Sequence, residues 1–269
     1  MTAEATMAAN DRIREHYAGR DLADRILAAA GADDESGAVP VDALAPYDEL
    51  HAGGLATTLY LLSRLELDAG TALLDVGCGL GGSSRVAADR HGCPVTGVDL
   101  SPDFVAAARA LTTRVGLSHL LRFEVGQAEQ LPCDDASHDR AVMIHVGMNL
   151  PDKAATFAEV HRVLRPGGLF GLHDQMRVGP GDLPYPQPWA VDDETSFLAS
   201  PSAYVDALAA AGFEVLSVED RRAALAAGPG EPAEDRAVVF GPAFVERMAN
   251  RMAATRAGIL APVVVLARA

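Results

Sequence analysis

A glycine-rich stretch with an acid inside it carries the most chemical information in this 269-residue sequence. Residues 73–82 read Leu-Leu-Asp-Val-Gly-Cys-Gly-Leu-Gly-Gly, and a helical pattern begins near Ser83. Glycines let the backbone turn tightly and approach a ligand without a Cβ in the way. A helix N-terminus that follows directly offers free N–H groups and a partial positive charge. The stretch therefore predicts a nucleotide-binding loop.

Two carboxylates bear on which nucleotide binds there. Asp99 ends the next predicted strand, where a carboxylate can accept both hydroxyl protons of a ribose. The segment Gly77-Cys-Gly-Leu-Gly-Gly82 also satisfies a dinucleotide-binding pattern, which keeps an NAD-dependent oxidoreductase as an alternative. Asp75 disfavours that alternative because it would repel a pyrophosphate. The same acid would attract a cationic ligand with an amino group, and S-adenosylmethionine (SAM) is such a ligand.

The elements that must position these residues alternate regularly from Thr71 onward. Apolar runs predict strands at 72–76, 94–99, 120–125, 139–145, 168–173, 212–220 and 261–267. Helical patterns fall between them at 83–91, 102–116, 152–164 and 201–212, with a further helix at 242–256. Alternation of this kind indicates βαβ crossovers. The fold class is therefore α/β, a doubly wound, seven-stranded and mostly parallel sheet.

The N-terminal quarter follows a different pattern. Apolar positions between residues 10 and 30 predict one or two amphipathic helices. Residues 31–46 are rich in glycine, proline and acids and are expected to form a loop, as are residues 228–235. A helix is expected from about Gly54 to Leu65. The turn before it contains His51, which could face a pocket.

Composition excludes several classes of partner. The formal net charge of −15 disfavours nucleic acid and anionic membrane surfaces, because both require a cationic protein face. The longest apolar run is too short to span a bilayer, and the first ten residues lack the basic region of a secretory signal. The three cysteines match no zinc motif. We therefore expect a reduced, cytoplasmic compartment.

Four segments, taken together, resemble the motifs of class I SAM-dependent methyltransferases. Residues 74–82 resemble the first motif of that family, and 98–102 (Val-Asp-Leu-Ser-Pro) the second. Residues 126–132 (Gly-Gln-Ala-Glu-Gln-Leu-Pro) are similar to the adenine-side segment. Residues 163–169 (Val-Leu-Arg-Pro-Gly-Gly-Leu) are similar to the turn before the fifth strand. The motifs occur in the family's order and span roughly residues 50–220.

The resemblance implies a Rossmann-like fold and assigns cofactor-binding roles by position. Gly77, Cys78 and Gly79 would lie against the methionine portion of SAM, with Asp75 behind them. Asp99 would hold the ribose hydroxyls, and Leu100 would pack on the adenine. Gln127 and Ala128 would face the adenine edge. Gln127 departs from the aspartate usual in the family, although its side-chain carbonyl can still accept the adenine amino proton.

Three histidines are candidates for the acceptor side of the reaction. His145 follows the fourth strand and could act as a general base, or else orient the loop and contact the cofactor. Asp48-Glu-Leu-His51-Ala-Gly-Gly54 matches a stretch of a small-molecule methyltransferase subgroup, which implies that His51 also lines the active site. Asn149 would steady the loop after His145. His173, at the end of the fifth strand, is another base candidate.

Two aromatic residues are predicted to contact the acceptor. Tyr17 lies on the N-terminal helix, which folds over the cofactor as a lid in related methyltransferases. Trp189, in a proline-rich stretch, could wall an acceptor pocket; the alternative is burial against residues 194–198. His145 occupies a position where a magnesium ligand would be expected, so the prediction is transfer without a metal.

The sequence thus predicts a SAM-dependent methyltransferase that acts on a small-molecule metabolite or natural product and releases S-adenosylhomocysteine (SAH). Its predicted organisation is a helical lid (1–53), a SAM-binding core (54–220), and a C-terminal helix and strand that complete the sheet (221–269). A SAM-binding regulator without transfer chemistry stays open beside the NAD alternative. The acceptor atom, the role of 221–258 and a homodimer are also left open.

Overall fold

One seven-stranded sheet organises the computed structural model, which describes residues 3–16, 19, 21–32, 39–228 and 233–269. The strands are β1 (Leu73–Val76), β2 (Val95–Asp99), β3 (Leu121–Val125), β4 (His138–Ile144), β5 (Leu164–Arg177), β6 (Glu214–Asp220) and β7 (Leu260–Arg268). Their order is β3-β2-β1-β4-β5-β7-β6. The first five run parallel, and β7 is antiparallel to both β5 and β6. The order reverses between β1 and β4, and ligands of such sheets bind at the carboxyl ends beside this point.

Helices cover both faces of the sheet and extend beyond its carboxyl edge. They are α1 (Ala3–His16), α2 (Leu22–Ala29), α3 (Val41–Asp48), α4 (Gly54–Ser63), α5 (Gly82–His91), α6 (Pro102–Arg114), α7 (Lys153–Val163), α8 (Pro201–Ala210), α9 (Arg222–Ala226), α10 (Ala233–Phe240) and α11 (Phe244–Arg256). The predicted seven strands and mostly parallel order are confirmed.

Burial explains why the central strands are so apolar. All four residues of β1 are buried, as are eight of the nine in β7. One face of the sheet packs against α7 and α8 through Phe157 and Tyr204, which are fully buried. The other face packs against α4 and α5 through Leu61 and Val86. A strand buried on both faces cannot alternate apolar with polar residues, so its sequence is a continuous apolar run.

The expected loop at residues 31–46 is wrong at its C-terminal end. Residues 41–48 form α3, with Pro46 inside the helix. Leu44 is fully buried in a cluster with Ile26 and Phe104. Tertiary packing of this kind stabilises a short helix that intrinsic propensity would not.

The C-terminal region also contains helices that the sequence did not predict. Two short helices, α9 and α10, precede α11, and α10 begins at Ala233, inside the expected loop 228–235. Helix α10 packs against α2, α3 and α11. The segment thus lies over the N-terminal helices. Among the described residues, no helix is both long and apolar enough to cross a membrane.

Candidate cofactor and active site

A cavity opens at the carboxyl ends of β1, β2 and β4, where the strand order reverses. Its empty space is about 1080 Å³, including the part open to solvent. The loops after β1, β2, β3 and β4 all line it, and α1 contributes Asn10, Ile13 and Arg14. Most parallel-sheet proteins place their ligand in this crevice, and a pocket of this size suits a nucleotide-sized molecule.

The glycine loop after β1 forms the floor of the cavity. Gly77 has a φ of +71°, and a Cβ at this position would lie 2.3 Å from Cγ2 of Val146. A side chain at position 77 would therefore clash with the loop after β4 as well as strain the backbone. Helix α5 begins at Gly82, immediately after the loop. Its N-terminus lies at the cavity wall, which Gly82 and Ser83 line.

Asp99 lies across from the glycine loop and is held by backbone amides. Gly79 N donates to Oδ2 and Ser101 N to Oδ1, each over 2.8 Å. Burial raises the pKa of Asp99, although the hydrogen bonds from Ser101, Gly79 and Leu100 oppose the shift. Each carboxylate oxygen has further acceptor capacity. The side chain can therefore bind ligand hydroxyls without releasing the loop.

The cavity is unusually acidic for a nucleotide site. Four carboxyl groups line it, and Arg14 is the one arginine or lysine that does so among the described residues. The acids are Asp48, Asp75, Asp99 and Glu129. Burial raises the pKa of Asp75 to about 7. The hydrogen bond from Ser84 opposes this shift, whereas the negative charges of Glu49 and Asp99 add to it. This charge distribution suits a cationic ligand and opposes a pyrophosphate.

Three histidines meet at the backbone of Ala52. Its N–H donates to His145 Nε2 over 3.3 Å, and its carbonyl oxygen lies 3.2 Å from His173 Nε2 and 3.3 Å from His51 Nδ1. The ring centroids are 5.1 Å apart for His145 and His173, and 5.8 Å for His51 with either of them. The stretch 48–54 thus joins its own histidine to His145, which follows β4, and to His173. The prediction that His173 ends the fifth strand is wrong, because β5 continues to Arg177 through its pairing with β7.

The surroundings of His145 disfavour its charged form. Burial lowers the pKa of His145 well below its usual range, and the positive charges of His173, His51, Arg251 and Arg236 add to the effect. His145 also has a φ of +56°. His51 Nε2 lies 2.5 Å from Glu49 Oε2, and both side chains are buried. The hydrogen bond from Ala52 N requires a lone pair on His145 Nε2, so His145 is a neutral ring.

Comparison with known proteins identifies the domain. A methyltransferase domain family matches residues 74–172. The sterol 24-C-methyltransferase erg6 of Aspergillus fumigatus is 31% identical over 167 residues, which is 60% of this chain and 44% of that protein. This chain therefore spans less than half of the length of that relative.

Residues 74–172 therefore resemble a methyltransferase domain.

Solved structures with low sequence identity share the fold of this chain. The [4+2]-cyclase SpnF superposes with a TM-score of 0.71 at 24% identity, covering 96% of this chain and 95% of SpnF. The geranyl diphosphate C-methyltransferase of Streptomyces coelicolor A3(2), solved with Mg²⁺, geranyl-S-thiolodiphosphate and SAH, gives 0.67 at 22% identity, covering 97% of each chain. One fold thus supports methyl transfer and cyclisation in different proteins, so function must be argued from the site.

The residues that line the cavity fit SAM. The acidic lining suits its sulfonium and ammonium charges, the amide-held Asp99 suits a ribose, and the Gly77 turn leaves room where a Cβ would clash. The predicted residues that line the cavity are His51, Asp75, Gly77, Cys78, Gly79, Asp99, Leu100, Gln127, Ala128, His145 and Asn149.

Two predicted residues lie outside the cavity lining. His173 is fully buried behind the other histidines. Trp189 is also buried, packs in a cluster with Met148, and donates from Nε1 to Ser196 Oγ over 3.0 Å. Trp189 is therefore buried against residues 194–198, as the alternative interpretation expected. The prediction that it forms a wall of the acceptor pocket is wrong. Tyr17 lies outside the described residues.

Asn149 joins the cavity to the segment that contains Trp189. Its Nδ2 donates to the carbonyl oxygens of Trp189 over 3.0 Å and Thr195 over 3.3 Å. A short 3₁₀ turn at Gly147–Asn149 places the side chain there. The described part of the chain contains no group of three or more His, Cys, Asp or Glu side chains arranged to hold a metal.

Sequence reasoning missed several lining residues. Asp48 lies in the matched stretch 48–54 but was assigned no role. It is the last residue of α3, a helix that the sequence did not predict, and it lines the cavity. Glu129 follows the adenine-side pair directly, and its buried Oε1 has no hydrogen-bond partner among the described residues. Asn10, Ile13 and Arg14 lie on α1; only the lid function that the family resemblance implies pointed to them.

Proposed function

We propose that this protein transfers a methyl group from SAM to a small-molecule acceptor and releases SAH. The observation that carries the proposal is the acidic cavity at the switch point of the sheet, with the amide-held carboxylate of Asp99 across from the Gly77 turn. The match of residues 74–172 to a methyltransferase domain family supports it. The chain spans only part of the curated relatives, so its substrate is inferred from its own site.

Each part of the cavity has a role in this proposal. Asp99 binds the ribose hydroxyls, and Leu100 and Ala128 pack on the adenine. Gln127 accepts a hydrogen bond from the adenine amino group. Residues 77–79 follow the methionine portion with their backbone, and Asp75 attracts its ammonium group through charge.

The acceptor enters beside the histidine cluster. When bound, SAM supplies an electrophilic methyl group on a sulfonium, and in-line transfer requires above all proximity and alignment. Val146 and Leu150 provide apolar walls near His145. His51 and His145, with His173 behind them, are the candidates for holding or accepting the acceptor proton. Asn149 fixes the loop on which this wall is built.

The remaining expectations are part of the same proposal. The acceptor is a small metabolite or natural product, nucleic acid is disfavoured by the net charge of −15, and the protein acts in the cytoplasm. Transfer proceeds without a metal, and a homodimer is compatible with it. The relatives named above act on a sterol and on geranyl diphosphate by name, so the family itself leaves the acceptor open.

Binding and turnover test this proposal together. Isothermal titration with SAM, SAH and NAD should show binding of the first two only. SAH release should then be measured with a panel of phenols, amines, carboxylates and polyketide-like enols, with and without EDTA. We expect turnover of at least one class, unaffected by EDTA.

Three outcomes would contradict it. NAD binding without SAM binding would indicate an oxidoreductase. SAM binding with no SAH release across the panel would indicate a binding protein or another chemistry on this fold, as the SpnF neighbour illustrates. Loss of turnover in EDTA would remove the metal-independent part of the proposal.

A further inference from the structure

Two of the three clustered histidines present no lone pair to the cavity. His51 Nε2 lies 2.5 Å from Glu49 Oε2 and 3.0 Å from Thr58 Oγ1. The other nitrogen, Nδ1, lies 3.3 Å from the carbonyl oxygen of Ala52, so both nitrogens of this ring face protein atoms. His173 is fully buried and does not line the cavity. Neither ring is therefore placed to accept a proton from a molecule in the cavity.

The third histidine, His145, lines the cavity and is partly exposed, but its lone pair is also occupied. The backbone N–H of Ala52 donates to Nε2 over 3.3 Å. A neutral imidazole has one lone pair and one N–H group, so the hydrogen of this ring is on Nδ1. Among the described residues, Nδ1 has no hydrogen-bond partner. His145 therefore offers a hydrogen-bond donor, and not a base, to a molecule beside it.

The fold holds the His145 ring in place before any acceptor arrives. Its backbone N–H donates to the carbonyl oxygen of His173 over 2.7 Å, and its φ is +56°. The two rings stack, with centroids 5.1 Å apart and an angle of 29° between their planes. The bond from Ala52 N fixes the ring at its other side. A donor that is oriented in advance needs no reorganisation during the reaction.

Titratable and positively charged groups from four parts of the fold surround His145. They are His51 in the turn before α4, His173 on β5, Arg236 on α10 and Arg251 on α11. Burial holds the pKa of His145 well below its usual range, and the charges of these groups add to the effect. Glu49 contacts the group through His51, and its Oε2 also accepts hydrogen bonds from Thr58 and Ser83. The protein thus places two buried arginines near His145, whereas acids line the cofactor part of the cavity.

An N–H donor and nearby positive charge select the kind of atom that is methylated. An oxygen anion accepts a hydrogen bond and is attracted by positive charge. An amine that gains a methyl group becomes a cation, which the arginines would repel. A neutral alcohol needs a base to take its proton, and none of the three histidines has a lone pair for it. The surroundings of His145 therefore favour an acceptor that carries its own negative charge.

We propose that the acceptor is an oxygen acid (a phenol, an enol or a carboxylic acid) that ionises before transfer, and that His145 Nδ1 donates a hydrogen bond to its oxygen anion. The inference rests on the proposed function. The acid loses its proton to solvent before it binds. A lone pair of the oxygen anion then forms the bond to the methyl carbon, and the C–S bond breaks with its electrons remaining on sulfur. The negative charge of the acceptor and the positive charge of the sulfonium are both consumed, so the step needs no base.

Ring-nitrogen NMR tests the donor without an acceptor. In ¹⁵N-labelled protein, free and bound to SAH, the signals of the His145 ring are assigned by their loss in His145→Asn. At neutral pH we expect a proton on Nδ1 and an unprotonated Nε2, because Ala52 N occupies the lone pair of Nε2. A proton on Nε2, or on both nitrogens, would overturn the inference.

A series of phenols that differ in one ring substituent tests the ionisation step. With SAM saturating, kcat/KM for the phenol is measured against pH. The acid-side inflection should shift from one phenol to the next with the phenol's own pKa, because the anion is the species that reacts. A single inflection shared by all the phenols would show that a group of the protein takes the proton, and turnover confined to amines would show that the acceptor is not an oxygen acid.

Asparagine and aspartate at position 145 form a matched pair of variants. Both tolerate a positive φ and both lose the bond to Ala52 N, but only the asparagine amide can donate near the place of Nδ1. His145→Asp should have a kcat/KM on the order of 10²-fold below that of His145→Asn, the usual effect of removing one donor to an oxyanion. Their SAH affinities should be equal, and His119→Asn, at an exposed position before β3, should match the wild type. Equal kcat/KM in the two variants would mean that His145 only supports the loop.

The two proposals fail in distinguishable ways. Failure of SAM to bind, or SAH release from no acceptor, would contradict the proposed function. Turnover with a shared inflection, or of amines alone, would leave that function in place and overturn only the oxygen-acid inference. If neither variant of His145 folds, the wild-type tautomer and the phenol series still decide the inference.

Discussion

The three histidines at Ala52 are chemically distinct because different groups surround their ring nitrogens. His51 Nε2 faces the carboxylate of Glu49, and His145 Nε2 accepts a hydrogen bond from the Ala52 N–H. His173 Nε2 lies 3.2 Å from the Ala52 carbonyl oxygen. At the scale of single residues, the three rings therefore differ in the groups that their nitrogens contact.

Asp99 should be the strongest single contributor to cofactor affinity. In the Asp99→Ala variant, the affinity for SAM and for SAH should fall by about 10-fold to 10²-fold, because hydrogen bonds to a charged group contribute about 1.5–3 kcal/mol each. Titration calorimetry measures this, with circular dichroism to verify the fold. Unchanged affinity would show that the ribose is held elsewhere.

Asp75 should make cofactor binding dependent on pH. Its pKa is raised to about 7 by burial, and a bound cation favours the ionised form. Binding therefore releases a proton below this pKa, so SAH affinity should rise as the pH increases from about 6 to 8 and then level off.

The Asp75→Asn variant isolates this effect. Burial also raises the pKa of Asp48, to about 6, but Asp48 is present in both proteins and its contribution cancels in the comparison. The ratio of wild-type to variant affinity should increase with pH over the same interval. A ratio that stays constant between pH 6 and 8 would show that Asp75 does not sense the ligand's charge.

At the scale of elements, a buried ion pair joins α3 to the glycine loop. Arg85 on α5 donates from Nη2 to Asp48 Oδ2 over 2.6 Å and to the Leu80 carbonyl oxygen over 2.7 Å. The two side chains are 0% and 2% exposed. The same guanidinium therefore fixes the end of α3, which precedes His51, and the loop that faces the cofactor.

Arg85→Ala should destabilise the fold by about 3–5 kcal/mol, because it leaves the carboxylate of Asp48 buried without its partner. Arg90→Ala is a matched control: it removes an exposed pair between the same two helices, Arg90 with Asp42, and should cost at most about 1 kcal/mol. Urea unfolding of both variants measures the difference. Equal costs would mean that the α3–α5 contact does not depend on the buried pair.

At the scale of the whole molecule, helix α1 near the start of the chain forms part of the cavity wall, and helix α10 near its end packs on α2 and α3. Arg12 on α1 pairs with Asp192 and Glu194, and His16 contacts Pro188, in the segment that Asn149 holds. Closure of the site is thus tied to surface contacts distant from the sheet.

Arg12→Ala should loosen α1 without affecting the core. Exposed ion pairs contribute at most about 1 kcal/mol, so SAH should dissociate up to about fivefold faster, and amide exchange in α1 should increase. The effect should be reproduced by high salt in the wild type, since surface pairs are screened. The control is Arg222→Ala, which removes a similarly exposed pair with Asp220 and should leave both measurements unchanged. If the two variants gave the same dissociation rate and the same amide exchange, this role of Arg12 would be ruled out.

The sheet and the cofactor loop can be recognised from the sequence alone. Strands buried on both faces are mostly apolar, and the positive φ of Gly77 favours glycine, so these elements are visible as local patterns. Asp75 and Asp99 lie near the carboxyl ends of β1 and β2, and residues 126–128 follow β3 directly. Their meeting at one edge is a consequence of the parallel order.

The groups that surround the histidines, and the place of Trp189, depend on long-range contacts of the fold. Helix α3 forms because Leu44 is buried by residues distant in the sequence, which no local pattern records. Glu49 becomes a partner of His51 only when α4 and α5 bring Thr58 and Ser83 against it. Trp189 is buried because its segment folds onto Met148 and Ser196. Protonation and burial depend on such long-range contacts, so they follow from the fold and cannot be inferred from residue type alone.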